Sequence, residues 1–80
     1  MFNRHIAKAI ADFAVFLEFA DEDVLDPDAS IAAMEQLAGE LQLMSEDERR
    51  ALSDCFDEIV SGYGGRDAFV RGLSESLGLI

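Results

Sequence analysis

Positive charge is scarce in this chain. Its 80 residues include six Lys or Arg against 17 Asp or Glu, for a net charge of -11. From Ala9 to Glu48 there is no lysine or arginine at all. The same stretch holds Asp12, Glu18, Asp21, Glu22, Asp23, Asp26, Asp28, Glu35, Glu40, Glu46, Asp47 and Glu48. Six cations cannot neutralise such an excess from within. The resulting negative field repels phosphate backbones and anionic lipid, which argues against nucleic-acid and membrane partners and favours a basic protein.

Other absences narrow the reading further. A single cysteine, Cys55, rules out an intrachain disulfide and points to a cytoplasmic setting. There is no tryptophan and one proline. No apolar run approaches the ~20 residues of a membrane helix. Arg4 and Lys8 precede an apolar segment, as in an export signal. Asp12 interrupts that segment and Glu18 follows closely, so the pattern of a signal peptide fails.

What the chain does have is apolar bulk. Half of its residues are hydrophobic, six of them phenylalanine, which is too much for a disordered acidic tail. The expectation is one acidic helical domain over residues 1–80, with a small core and modest stability.

The apolar spacing predicts an all-α fold without strands. A first helix is expected from about Asn3, as cap, to Ala20. Its inner face would be Ile6, Ile10, Phe13, Leu17 and Ala20, widened by Ala9 and Phe16. Asp26 and Pro27 open a second helix, with Asp28 in its first turn. Ile31, Met34, Leu37, Ala38, Leu41 and Met44 would form its inner face. Ser45-Glu46-Asp47-Glu48 reads as a capping box that opens a third helix, with Leu52, Cys55, Phe56, Ile59 and Tyr63 inward. Ser61 to Gly65, with three glycines, ends it. A shorter fourth helix, from about Arg66 to Leu77, presents Phe69, Val70, Leu73 and Leu77. Each helix is amphipathic and needs its neighbours. Short connections then give a compact bundle of three longer antiparallel helices and a shorter C-terminal one.

No motif supplies catalytic chemistry. An EF-hand counted from Asp26 has Asp28 and Ser30 in place, but Ile31 stands where glycine is needed and Leu37 where glutamate is needed. Asp28-Ala29-Ser30-Ile31 resembles the Asp-Ser-Leu of acyl carrier proteins, whose serine bears phosphopantetheine. Here an alanine separates aspartate from serine, and the long loop that precedes the motif is missing. Ser30 therefore reads as an ordinary first-turn residue. His5 and Cys55, one of each, make neither a zinc site nor a supported catalytic pair, and Cys55 falls on an inner face. Gly62-Tyr63-Gly64-Gly65-Arg66 lacks the lysine of a P-loop and reads as a helix end. The expectation is no enzyme, no metal and no cofactor.

The surface carries the functional signal. Val15 and Phe19, four apart on the first helix, fall off the expected inner stripe beside Asp12 and Glu18. They form either a contact patch or a seam covered by the fourth helix. Asp54, Asp57 and Glu58 share the outer face of the third helix, where Arg50 is placed to pair with Asp54. Small size and acidity are shared with immunity and antitoxin-like proteins, which cover the working surface of a basic toxin. On this reading Val15 and Phe19 anchor a partner, while Asp21, Glu22, Asp23, Asp54, Asp57 and Glu58 steer it. The alternative is a structural or regulatory subunit that pairs as a homodimer through its first helix.

Overall fold

The computed structural model describes residues 3–80. Among these residues the fold is all-α, without strands. Helix α1 spans Arg4–Phe19, α2 spans Pro27–Gln42 and α3 spans Glu46–Ile59. Turns of 3-10 type cover Val60–Arg66, and two short helices close the chain, α4 at Asp67–Arg71 and α5 at Leu73–Ser76. The expected fourth helix is thus divided at Gly72.

Local chemistry sets the helix starts. The Asn3 side chain accepts from the His5 N–H at 2.7 Å. Asp26 accepts from the Ala29 N–H at 3.1 Å, with Pro27 at the first helical position. At α3 the capping box closes both ways: the Glu48 N–H donates to Ser45 Oγ at 3.2 Å, and the Ser45 N–H donates to Glu48 Oε1 at 3.0 Å. Each bond satisfies a backbone donor that a helix start would otherwise leave open. The backbone hydrogen bond from Ser45 holds the Glu48 carboxyl below its ordinary pKa.

The core corrects the expected orientation of α1. Ala7, Ala11 and Ala14 are fully buried, and Leu17 joins them, whereas Ile6, Phe13 and Phe16 are exposed. Phe13 was expected in the core and is 46% exposed. The reason lies in packing distance. The alanine face lets α1 approach α3 closely, where a phenylalanine face would hold the two helices apart. That seam is filled from α3 by Leu52, Cys55, Phe56 and Ile59, and from the C-terminal segment by Val70, Leu73, Leu77 and Leu79. The apolar part of α1 is wider than this seam, so large hydrophobic residues remain outside it.

Helix α2 is peripheral. Leu41 is its one buried residue among those described, Met34, Leu37 and Ala38 are half-buried, and Ile31, expected inward, is exposed. Two polar ties hold the helix in place. The Ser30 hydroxyl donates to the Leu17 carbonyl at the end of α1. Gln42 donates to the Leu77 carbonyl at 3.0 Å. A third tie, between the Ser53 and Ser74 hydroxyls at 2.7 Å, joins α3 to α5 inside the core.

The chain end is shaped by Gly78. Its φ is 71°, and the Gly78 and Leu79 N–H groups donate to the Glu75 and Ser74 carbonyls at 3.0 and 2.8 Å. This is a Schellman termination, and it turns Leu79 back into the core. A Cβ at Gly78 would lie 2.4 Å from the Gln42 side chain.

Stability measurements distinguish these packing roles. In urea denaturation, Phe56→Ala is expected to cost about 3–5 kcal/mol, as a buried aromatic replaced by a cavity. Ala11→Leu is expected to cost about 1–3 kcal/mol by overpacking the seam. An Ala11→Leu variant as stable as the wild type would contradict the close α1–α3 approach. Gly78→Ala should cost about 1–2 kcal/mol because φ is positive there.

Candidate functional site

The surface acids are almost all free of cations. All twelve acidic residues between Ala9 and Glu48 are exposed. Asp12 pairs with Lys8 and Glu46 with Arg50, each at 3.1 Å; the others form no ion pair among the described residues. Asp21, Glu22 and Asp23 lie in the turn between α1 and α2, where the Val24 and Leu25 N–H groups donate to the Asp21 carbonyl. That turn holds the three carboxylates within a few residues of the C-terminal end of α1. Negative charge there is therefore added to the negative end of the helix dipole.

The acids on α3 have different surroundings. Arg50 bonds Glu46 rather than the expected Asp54, because both lie one turn away and Glu46 is on the N-terminal side. Asp54 is exposed. Asp57 shares a surface cleft with Asp67 and Arg71. Glu58 lines a second cleft with Arg4, His5, Lys8, Ile59, Ser61, Gly62 and Tyr63. Four of the chain's six cations, Arg4, Lys8, Arg66 and Arg71, therefore belong to the ends of α1 and the segment after α3. Helix α2 itself has none.

The second cleft is organised by Tyr63. Its hydroxyl donates to Asp12 Oδ1 at 2.5 Å, and Lys8 Nζ donates to both carboxylate oxygens of Asp12, at 3.2 and 3.1 Å. Lys8 Nζ also lies 5.1 Å from the Tyr63 ring centre. The Tyr63 bond, with help from Lys8, holds the Asp12 carboxyl below its ordinary range against partial desolvation. Burial, and then the Asp12 carboxylate, push the Tyr63 phenol well above its ordinary value. This cluster ties α1 to the glycine-rich turn, a role that no sequence motif announced.

Val15 and Phe19 part company in the folded chain. Val15 is half-buried against the core. Phe19 keeps 42% of its surface exposed and stacks edge-on against Phe69 of α4, with ring centres 5.3 Å apart. The Arg66 guanidinium lies 4.3 Å over the same ring. The fourth-helix segment thus covers one side of this pair. The residues that emerge instead are Phe13 and Phe16, which sequence spacing had placed inside. Phe13 borders a groove of about 240 Å³ shared with Ala33, Gln36, Leu37 and Glu40 of α2.

Cys55 lies in the core. Burial, with the charges of Glu58 and Asp54, pushes its thiol above the ordinary value, away from the nucleophilic thiolate. Among the described residues, no three His, Cys, Asp or Glu side chains converge to hold a metal ion. No described helix is long and apolar enough to cross a membrane. No family model, curated protein or solved structure matches this chain.

The Tyr63–Asp12 bond has a pH signature. Asp12 titrates lower in the folded chain than unfolded, so its contribution is present above about pH 4 and lost as pH falls below that. Tyr63 titrates higher when folded, so its contribution is present below about pH 10 and lost as pH rises beyond it. Tyr63→Phe should therefore lower stability by about 0.5–1 kcal/mol near neutrality, a figure reduced for the exposure of Asp12. The gap from wild type should narrow at both pH extremes. A gap that stays constant from pH 3 to pH 7 would show that the bond contributes nothing through ionisation.

Proposed function

We propose that this chain is a small, non-enzymatic, acidic protein-binding module that neutralises a basic protein, in the manner of immunity and antitoxin-like proteins. One observation carries the reading: all twelve carboxylates from Asp12 to Glu48 are exposed, in a stretch of chain that holds no lysine or arginine. Such a surface costs the folded state some self-repulsion, and a basic partner relieves that repulsion.

Asp21, Glu22 and Asp23 have the role of steering groups, since they lie close together on an exposed turn. Asp54 adds to them from α3. Asp57 and Glu58 contribute less, because each shares its cleft with cations. Phe19 supplies apolar contact on its open side, whereas Val15 acts mainly through packing. The proposal includes a cytoplasmic setting, where a lone cysteine stays reduced. A second reading, a structural or regulatory subunit forming a homodimer through α1, is favoured by the exposure of Phe13 and Phe16.

A protein retained by the immobilised chain from extracts of its own cell at low salt should be basic, and should be released as ionic strength rises. Reversing Asp21, Glu22 and Asp23 to lysine should then slow association about tenfold or more, with a smaller change in dissociation. Stopped-flow measurement over a salt series reads both. A retained partner that is itself acidic, bound without salt dependence, would overturn the electrostatic account.

A further inference from the structure

The exposed phenylalanines form one connected surface. Phe13, Phe16 and Phe19 follow at intervals of three on α1, so each neighbours the next. Phe19 leans on Phe69 at one end of this row, and Phe13 borders the α2 groove at the other. Phe16 lies between them, 47% exposed. Large exposed aromatic side chains at neighbouring positions, beside an apolar groove, are the usual centre of a protein contact.

Charge selects the occupant. Glu40 is the one charged residue that lines the groove. Helix α2 contains no lysine or arginine, and Arg4 and Lys8 of α1 both face the Tyr63 cleft instead. The groove beside Phe13 is therefore apolar, with one carboxylate, Glu40, and no cation in its lining.

Area argues against a second copy. Three half-exposed aromatic rings offer roughly 70–110 Å² each. A standard interface takes about 800 Å² from each partner, so surface well beyond the rings must be covered as well. Two copies would bring together two chains of net charge -11, whereas a basic partner would not meet that repulsion.

We propose that Phe13, Phe16 and the groove formed by Ala33, Leu37 and Glu40 are the docking face for an amphipathic segment of a basic protein. Large apolar side chains of that segment enter the groove, and a flanking lysine or arginine meets Glu40. This deepens, and rests on, the basic-partner reading above.

The test uses the full chain and two synthetic peptides of equal charge. One is an amphipathic lysine–leucine helix; in the other every leucine is replaced by glutamine. Fluorescence anisotropy at low salt should show the first bound about tenfold or more tighter. Phe13→Ser with Phe16→Ser should abolish that preference, and Ile31→Ser, at an exposed apolar position bordering a different cleft, should leave it intact. Far-UV circular dichroism checks the fold, and Phe16→Ser alone serves if the double variant unfolds. Equal binding of both peptides would overturn the docking face while leaving the basic-partner reading standing. Failure of both peptides to bind would remove that reading and the face with it. A dimer in sedimentation equilibrium that Phe16→Ser dissociates would assign the face to a second copy and overturn the proposal.

Discussion

The close approach of α1 to α3 is the constraint from which the rest of the structure follows. Ala7, Ala11 and Ala14 contribute little side-chain volume, so the two helix backbones come near, and Leu52, Phe56 and Ile59 fill the space between the flanking elements. An alanine seam gains less from transfer out of water than a phenylalanine seam would. It gains instead in continuous contact at high packing density. Once that face is committed, the remaining apolar side chains of α1 must look elsewhere. Leu17 and Ile10 find cover, Phe19 finds Phe69, and Phe13 and Phe16 stay largely in solvent.

The polar interactions of the fold act as alignment more than as driving force. Ser30 to Leu17, Gln42 to Leu77, and Ser53 with Ser74 each join two elements at one defined point. A neutral hydrogen bond contributes only about 0.5–1.5 kcal/mol net, but a buried partner left unmatched costs more. These contacts therefore discriminate against slipped arrangements of helices whose apolar faces are loosely patterned. The same economy explains Ser30 as a structural hydroxyl and Cys55 as core material.

Charge is distributed as unevenly in space as in sequence. Cations gather around the Tyr63 cleft and the segment after α3, while α2 and the turn before it carry acids alone. Two acidic patches that look equivalent along the chain thus differ in the folded protein. Asp21, Glu22 and Asp23 make no ion pair among the described residues, whereas Asp57 and Glu58 share clefts with Arg71, Arg4 and Lys8. The apolar row of α1 runs from the groove beside Glu40, where no cation lines the wall, to Phe19, which Arg66 covers.

Sequence alone determined what depends on short-range chemistry. The caps at Asn3, Asp26 and Ser45, Pro27 at a helix start, and the all-α character follow from neighbouring residues, and so does the burial of Leu41, Leu52, Phe56, Ile59 and Leu73. The acidic excess is likewise a property of composition. Tertiary structure decided which face of α1 is inside, because the apolar part of that helix is wide enough to offer more than one stripe of similar hydrophobicity. The choice among them rests on how closely two backbones can approach. It also decided the Tyr63–Asp12–Lys8 cluster, whose members lie 51 residues apart across the hydroxyl–carboxylate bond. No local pattern encodes such a meeting; it exists because the alanine seam sets the distance between α1 and the turn after α3.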